Sequence, residues 1–124
     1  MTESERKTAE MRERTKHFAL RVVRLVQALP REETARVVGR QLLRSGTSVG
    51  ANYRAVCRAR SPAEFISKLG IVLEEADESC FWLELLIESE LMKADRIQPL
   101  LDEANQLVAI IAASRRTAQK RNSS

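Results

Sequence analysis

Residues 44–60 read RSGTSVGANYRAVCRAR, and this stretch governs how the rest of the chain must pack. The pattern around it is helical, yet its middle carries Ser45, Gly46, Thr47, Ser48, Gly50 and Ala51. A glycine inside a helix costs about 1 kcal/mol against alanine. Gly39, Gly46 and Gly50 therefore need a packing reason. Small side chains at helical spacing supply one, because they let a neighbouring helix backbone come close. The same stretch carries Arg44, Arg54, Arg58 and Arg60. Its tightest packing point is thus also part of its most basic surface.

Working outward, the helix that holds this stretch is expected from about Glu32 to Arg60. Glu32 and Glu33 fall in its first turn, where the helix dipole favours acids. Val38, Leu42, Ser45, Val49, Asn52 and Val56 span an arc of roughly 80° at about 100° per residue. Arg36, Arg40, Arg44, Arg54 and Arg58 span a second arc of about 80° on the opposite side. Asn52 lies on the apolar arc, and a buried amide needs partners. It is expected to bond across to another helix.

Before it, a first helix is expected from about Glu5 to Ala28. Phe18, Val22, Leu25 and Leu29 recur at the spacing of one buried face. Leu29-Pro30 ends it, since a residue before proline avoids the helical region. After it, Ser61-Pro62-Ala63-Glu64 is a helix start, with a capping serine, proline at the first helical position and a glutamate to close a capping box. That third helix runs to about Leu91. Phe65, Leu69, Val72, Ala76, Ser79, Leu83 and Leu86 keep a seven-residue rhythm, which implies near-antiparallel bundle packing. Its other side is acidic, with Glu74, Asp77, Glu78, Glu84 and Glu88. Phe81 points into that acidic side and Trp82 lies at its margin. Both are candidates for a contact with a fourth element or with a second subunit. A fourth helix is expected from about Asp95, as a cap, to Ala118. Ile97, Leu100, Leu101, Ala104, Leu107, Val108 and Ile111 form its apolar face, and Pro99 is tolerated only near the first turn. The fold class is all-α, an antiparallel up-down four-helix bundle. Residues 1–124 form one domain, with 1–10 and 117–124 expected to fray.

The bulk numbers agree with one soluble domain. The chain has 124 residues, 44% hydrophobic and 31% charged. No apolar run approaches the roughly 20 residues that a membrane span needs. The first sixteen residues are charged and lack an apolar signal core, so a cytoplasmic location is expected. The net charge of +4 hides an asymmetry. Residues 1–60 hold fourteen Lys and Arg against six Asp and Glu, while residues 61–124 hold seven against eleven. One face is therefore suited to a polyanion, or copies of the chain meet basic face to acidic face.

Catalytic chemistry does not assemble from these residues. His17 is the only histidine, and a bundle di-iron site needs two Glu-x-x-His motifs. Cys57 and Cys80 show no zinc-ligand spacing and read as buried free thiols. Gly46-x-x-x-Gly50 is helical in pattern with no strand before it, so it is not a phosphate loop. No cofactor, metal or small-molecule substrate is indicated, and the chain is not expected to be an enzyme. The basic stripe is the best functional signal. Seven arginines and no lysine lie between Arg31 and Arg60, and the guanidinium fork suits phosphate. Two roles stand side by side: pairing with the acidic third helix, within or between subunits, and binding nucleic acid. Tyr53 is the only aromatic near the stripe, so base stacking is weak. Duplex or structured RNA held by its phosphates fits better.

LPREE at Leu29–Glu33 and GRQLLRSGTSVGANYRAVCRARSPAEFISKLGIVLEEADESCFWLELL from Gly39 to Leu86 resemble a small bacterial four-helix-bundle family. It includes the proteins encoded in intervening sequences of 23S rRNA genes. The resemblance runs over roughly residues 10–115. Its core is the signature at Arg44–Asn52, followed by S-x-x-E-F at Ser61–Phe65. The resemblance implies an up-down bundle and a ring-like homopentamer with a central channel. It also implies likeness to the accessory protein of diversity-generating retroelements, a basic pentamer that binds nucleic acid and a reverse transcriptase. No catalytic residues carry over. Many members follow the asparagine with Ile-Ala-Glu-Gly, whereas Tyr53-Arg54-Ala55-Val56 stand here, a more basic variant. The partners to be expected are thus further copies of the chain, a pentamer by resemblance, and structured RNA or DNA.

Overall fold

The structure is a computed structural model that describes residues 1–123. Four helices make it up: α1 (Glu3–Gln27), α2 (Glu33–Cys57), α3 (Pro62–Glu88) and α4 (Ala94–Ser123). No strand occurs among the described residues. Local chemistry fixes the ends. Thr2 and Glu5 form a reciprocal capping box that starts α1 two residues earlier than the periodicity implied. Ser61 accepts from the Glu64 amide and Pro62 opens α3, as the motif predicted, but the expected capping box does not close, because the Glu64 carboxylate turns to Arg60 and Lys68. Several expected limits shift: α3 stops at Glu88, short of Leu91, and α4 runs on to Ser123, past Ala118. α2 ends at Cys57 with Arg58 as its cap, so Arg58 and Arg60 lie at or beyond the helix end. Asp95 sits inside the first turn of α4, not before it.

Helix neighbours follow chain order, α1 on α2, α2 on α3 and α3 on α4, with α1 meeting α4 much more sparingly. The glycines set the first of these contacts. A methyl group on Gly39 would meet Leu29 and Val26, one on Gly46 would meet Val22, and one on Gly50 would meet the Thr15 carbonyl oxygen at 3.2 Å. Positions rise on α2 as they fall on α1, so the two run antiparallel. Gly50 admits the α1 backbone itself, which explains why no side chain stands there. Cys80 with Asn105, and Ile66 and Gly70 with Arg115, give α3 and α4 the same opposed register.

The core lies where the apolar arcs converge. Phe18, Val22, Leu42, Val49, Leu69, Val72, Leu83, Leu86, Ile97 and Leu107 are fully buried. Between α2 and α3 the core is partly polar: buried Ser79 donates its hydroxyl to Ser45 Oγ at 2.9 Å and lies 2.9 Å from the Glu75 carbonyl. Asn52 was expected to make that kind of bridge and does not. Its amide nitrogen donates to the Ser48 carbonyl of its own helix at 2.9 Å. The residue stands at the edge of the buried arc and is only half-buried, so its own backbone is the nearer acceptor.

Candidate nucleic-acid and self-association surfaces

The five arginines expected on one face of α2 are all exposed, but their surroundings differ. Arg36 pairs with Glu33 one turn back in the same helix. Arg44 reaches across to α3, where it pairs with Glu78 and lies 3.6 Å from Glu75. Glu75 is half-buried, and desolvation raises its carboxyl pKa while Arg44 opposes that rise. Arg40, Arg54 and Arg58 have no carboxylate within ion-pair distance among the described residues. Pairing with the acidic helix within one chain thus accounts for Arg44 alone. Arg36 and Arg40 also border an open groove of about 610 Å³ whose apolar floor includes Val26, Leu29, Gly39 and Leu43.

The two aromatics of α3 part company. Trp82 is half-buried, packs against the core and donates its indole N–H to Glu78 Oε1 at 3.3 Å. Phe81 stays 52% exposed, edge-on to Trp82 with ring centroids 5.0 Å apart. No other element of the chain covers it. At about 100° per residue, Phe81 shares its side of α3 with exposed Ile71 and Leu85. Glu74 and Glu78 lie between them. The outer face of α3 is therefore apolar and acidic together.

Two polar features were not visible in the sequence. Arg14 of α1 makes a bidentate pair with Glu103 of α4, with both bonds 2.8 Å long, and a third bond to Gln106. The pair lowers the pKa of the Glu103 carboxyl and raises that of Arg14. The second feature is Arg115, half-buried, whose Nε donates to the Ile66 carbonyl on α3 at 3.1 Å. The pairing brings the basic end of α4 beside the α2–α3 turn. The one trace of it in the sequence is Gly70, a glycine inside the periodic third helix, which does not name its partner.

Nothing else in the fold assembles reactive groups. Among the described residues no three His, Cys, Asp or Glu side chains gather as a metal ion would require. Cys80 is buried and Cys57 half-buried, and burial raises both thiol pKa values, that of Cys80 to about 11. His17 is exposed. Among the described residues no helix is long and apolar enough to cross a membrane.

A four-helix bundle with charged outer faces defines the class. The chain belongs to the 23S rRNA-intervening sequence protein family, whose profile matches residues 7–113. A solved structure agrees with this, that of a protein with unknown function from the S23 ribosomal protein family of Bacteroides thetaiotaomicron VPI-5482. The two are 35% identical and superpose with a TM-score of 0.81 over 89% of this chain and 98% of that one. No curated protein matches the chain.

Proposed function

We propose that this protein is a non-enzymatic bundle that assembles with copies of itself and holds structured RNA or DNA by its phosphates along the outer face of α2. One observation carries the nucleic-acid half: Arg40, Arg54 and Arg58 stand exposed on that face without a carboxylate partner. An exposed arginine row without counter-charges within the chain is suited to a charged partner from outside it. Few aromatics lie near it, so the contact is to backbone phosphate and shape, not to stacked bases. The self-assembly half rests on Phe81, Ile71 and Leu85, exposed together on α3, and a homopentamer is the form that family resemblance implies. The rival is a protein-interaction module whose arginines serve subunit contacts.

The test is binding of the purified protein to a hairpin RNA across a salt series, beside Arg40→Glu/Arg54→Glu. Affinity should fall linearly with salt on logarithmic axes, by about 0.9 in slope per phosphate neutralised on a duplex, and the double reversal should abolish it. Absence of wild-type binding at low salt would assign the arginines to protein contacts. Native mass by light scattering tests assembly separately. Phe81→Ala should lower it, and an unchanged mass would remove Phe81 from any subunit contact. Phe81 is the cleaner probe, because Trp82→Ala also opens the core.

A further inference from the structure

The end of the bundle that holds the α2–α3 turn gathers cations beyond those of the α2 face, beside the mixed-charge first turns of α1, where Glu3, Glu5, Glu10 and Glu13 stand with Arg6, Lys7 and Arg12. Arg54 and Arg58 lead into it from α2, Arg60 follows in the turn, and Lys68 stands on the first turns of α3. The Arg115–Ile66 bond places the last turns of α4 there too, with Arg116 and Lys120. Against these cations the α2–α3 turn and first turns of α3 offer one carboxylate, Glu64, which Arg60 and Lys68 share at 3.9 Å each. Arg116 and Lys120 have no carboxylate within ion-pair distance among the described residues.

Arg115 differs from the others in being held. Its guanidinium lies against α3 where Gly70 has no side chain: a methyl group there would come within 3.2 Å of Nε and 3.4 Å of Cζ and Nη2. Nε is committed to the Ile66 carbonyl. The two terminal nitrogens have no protein acceptor among the described residues, and no carboxylate neutralises the charge. An arginine fixed in this way has lost little freedom still to lose on binding, and its planar fork matches a phosphate. A glycine inside a helix, disfavoured there against alanine, gains a reason if its role is to admit this side chain.

We propose that Arg115, cradled by Gly70 and the Ile66 carbonyl, is a fixed phosphate-binding fork, and that with Arg58, Arg116 and Lys120 it makes this end of the bundle a second contact for the nucleic-acid backbone. The proposal rests on the nucleic-acid reading of α2 and extends it to residues on α3 and α4. The partner is a phosphodiester backbone long enough to pass from the α2 face over the bundle end, as a duplex or hairpin is.

Three variants test it, by fluorescence anisotropy on a labelled hairpin RNA and a DNA duplex of the same length, each over a salt series. Arg115→Lys keeps the charge but loses the fork and the Ile66 bond. It should weaken binding about tenfold, the scale of one charge-assisted hydrogen bond, with the salt slope unchanged because the charge remains. Arg116→Glu/Lys120→Glu should weaken binding and flatten the slope by about 2. Gly70→Ala guards against misfolding of the first variant: alanine favours the helix, so thermal stability should hold or rise while affinity drops. RNA and DNA results together tell whether the 2′-hydroxyl matters. Wild-type affinity in Arg115→Lys and Gly70→Ala, with loss in Arg40→Glu/Arg54→Glu, overturns this proposal and leaves the α2 reading standing. No binding by wild type on either probe overturns both.

Discussion

Replacing Gly46 by alanine is the most direct challenge to the α1–α2 packing. The new methyl would lie 2.7 and 2.8 Å from the Val22 methyls and 3.0 Å from its Cβ, where carbon contacts ordinarily relax at about 3.5–4.0 Å. Val22 is fully buried. Turning its χ1 brings no relief, because Cβ does not move and valine in a helix is confined to one well. α1 must therefore retreat, and Phe18 and Leu25 retreat with it. Overpacking of this kind costs about 1–3 kcal/mol, and helix propensity returns about 1 kcal/mol. Three contacts at 3.0 Å or less put this case in the upper part of that range, so the net loss should be about 1–2 kcal/mol, or roughly 4–8 °C in Tm. Urea denaturation reads it through circular dichroism and the fluorescence of Trp82, the only tryptophan, with the m-value compared to confirm that only stability changed. Val22→Ala removes the two shortest contacts. The double variant Gly46→Ala/Val22→Ala should therefore be more stable than the sum of the single losses by about 1 kcal/mol. A Gly46→Ala protein as stable as wild type, or additive behaviour in the cycle, would refute the close approach of α1 to α2.

Three further outcomes follow from the polar and thiol contacts. Arg14→Ala should cost about 1–2 kcal/mol at neutral pH, given a bidentate but partly exposed pair. Because the pair depresses the Glu103 pKa, its contribution is present above the ordinary carboxylate value of about 4.3 and fades as pH falls through the depressed one. Wild type and variant should thus converge in acid, and a constant gap down to the lowest pH would show that the loss is packing alone. Ser79→Ala should cost about 1 kcal/mol, whereas the double Ser45→Ala/Ser79→Ala should cost less than the two singles summed, because no hydroxyl is left without its bridge; strict additivity in a thermal melt would argue against that bridge. With a thiol reagent near pH 8, half-buried Cys57 should react first and buried Cys80 only on unfolding. Equal rates for the two would contradict the placement of Cys80 against α4.

What could be read from the sequence was whatever depends on near neighbours along the chain. Ser61, Pro62 and Glu64 start a helix by chemistry contained within four residues, and the structure starts one there. The rhythm from Phe65 to Leu86 selects one face without knowledge of the partner. Gly46 and Gly50 were legible as close-approach residues because glycine in a helix needs a reason. Anything that depends on the offset between two helices was out of reach. A wheel drawn for α2 puts Arg40 and Arg44 on one face, but the offset of α3 gives Glu75 and Glu78 to Arg44 and nothing to Arg40. It also put Asn52 on the buried arc, though the residue sits far enough round to turn back on its own backbone. Arg14 with Glu103, and Arg115 with Gly70, are eighty-nine and forty-five positions apart, and no single-helix periodicity predicts such pairs.

The sparing contact of α1 with α4 gives the bundle unequal sides. Three of its joints follow consecutive helices, closed by short turns and broad apolar faces, while the fourth is fastened chiefly where Arg14 grips Glu103 and Gln106. In form the molecule resembles a box with a lid: α1 is seated on the glycines of α2 and joined to α4 on the far side by one charged clasp. Local opening free energies in proteins are lowest where apolar contact is thinnest, so amide protons of α1 would exchange ahead of those in α2 and α3.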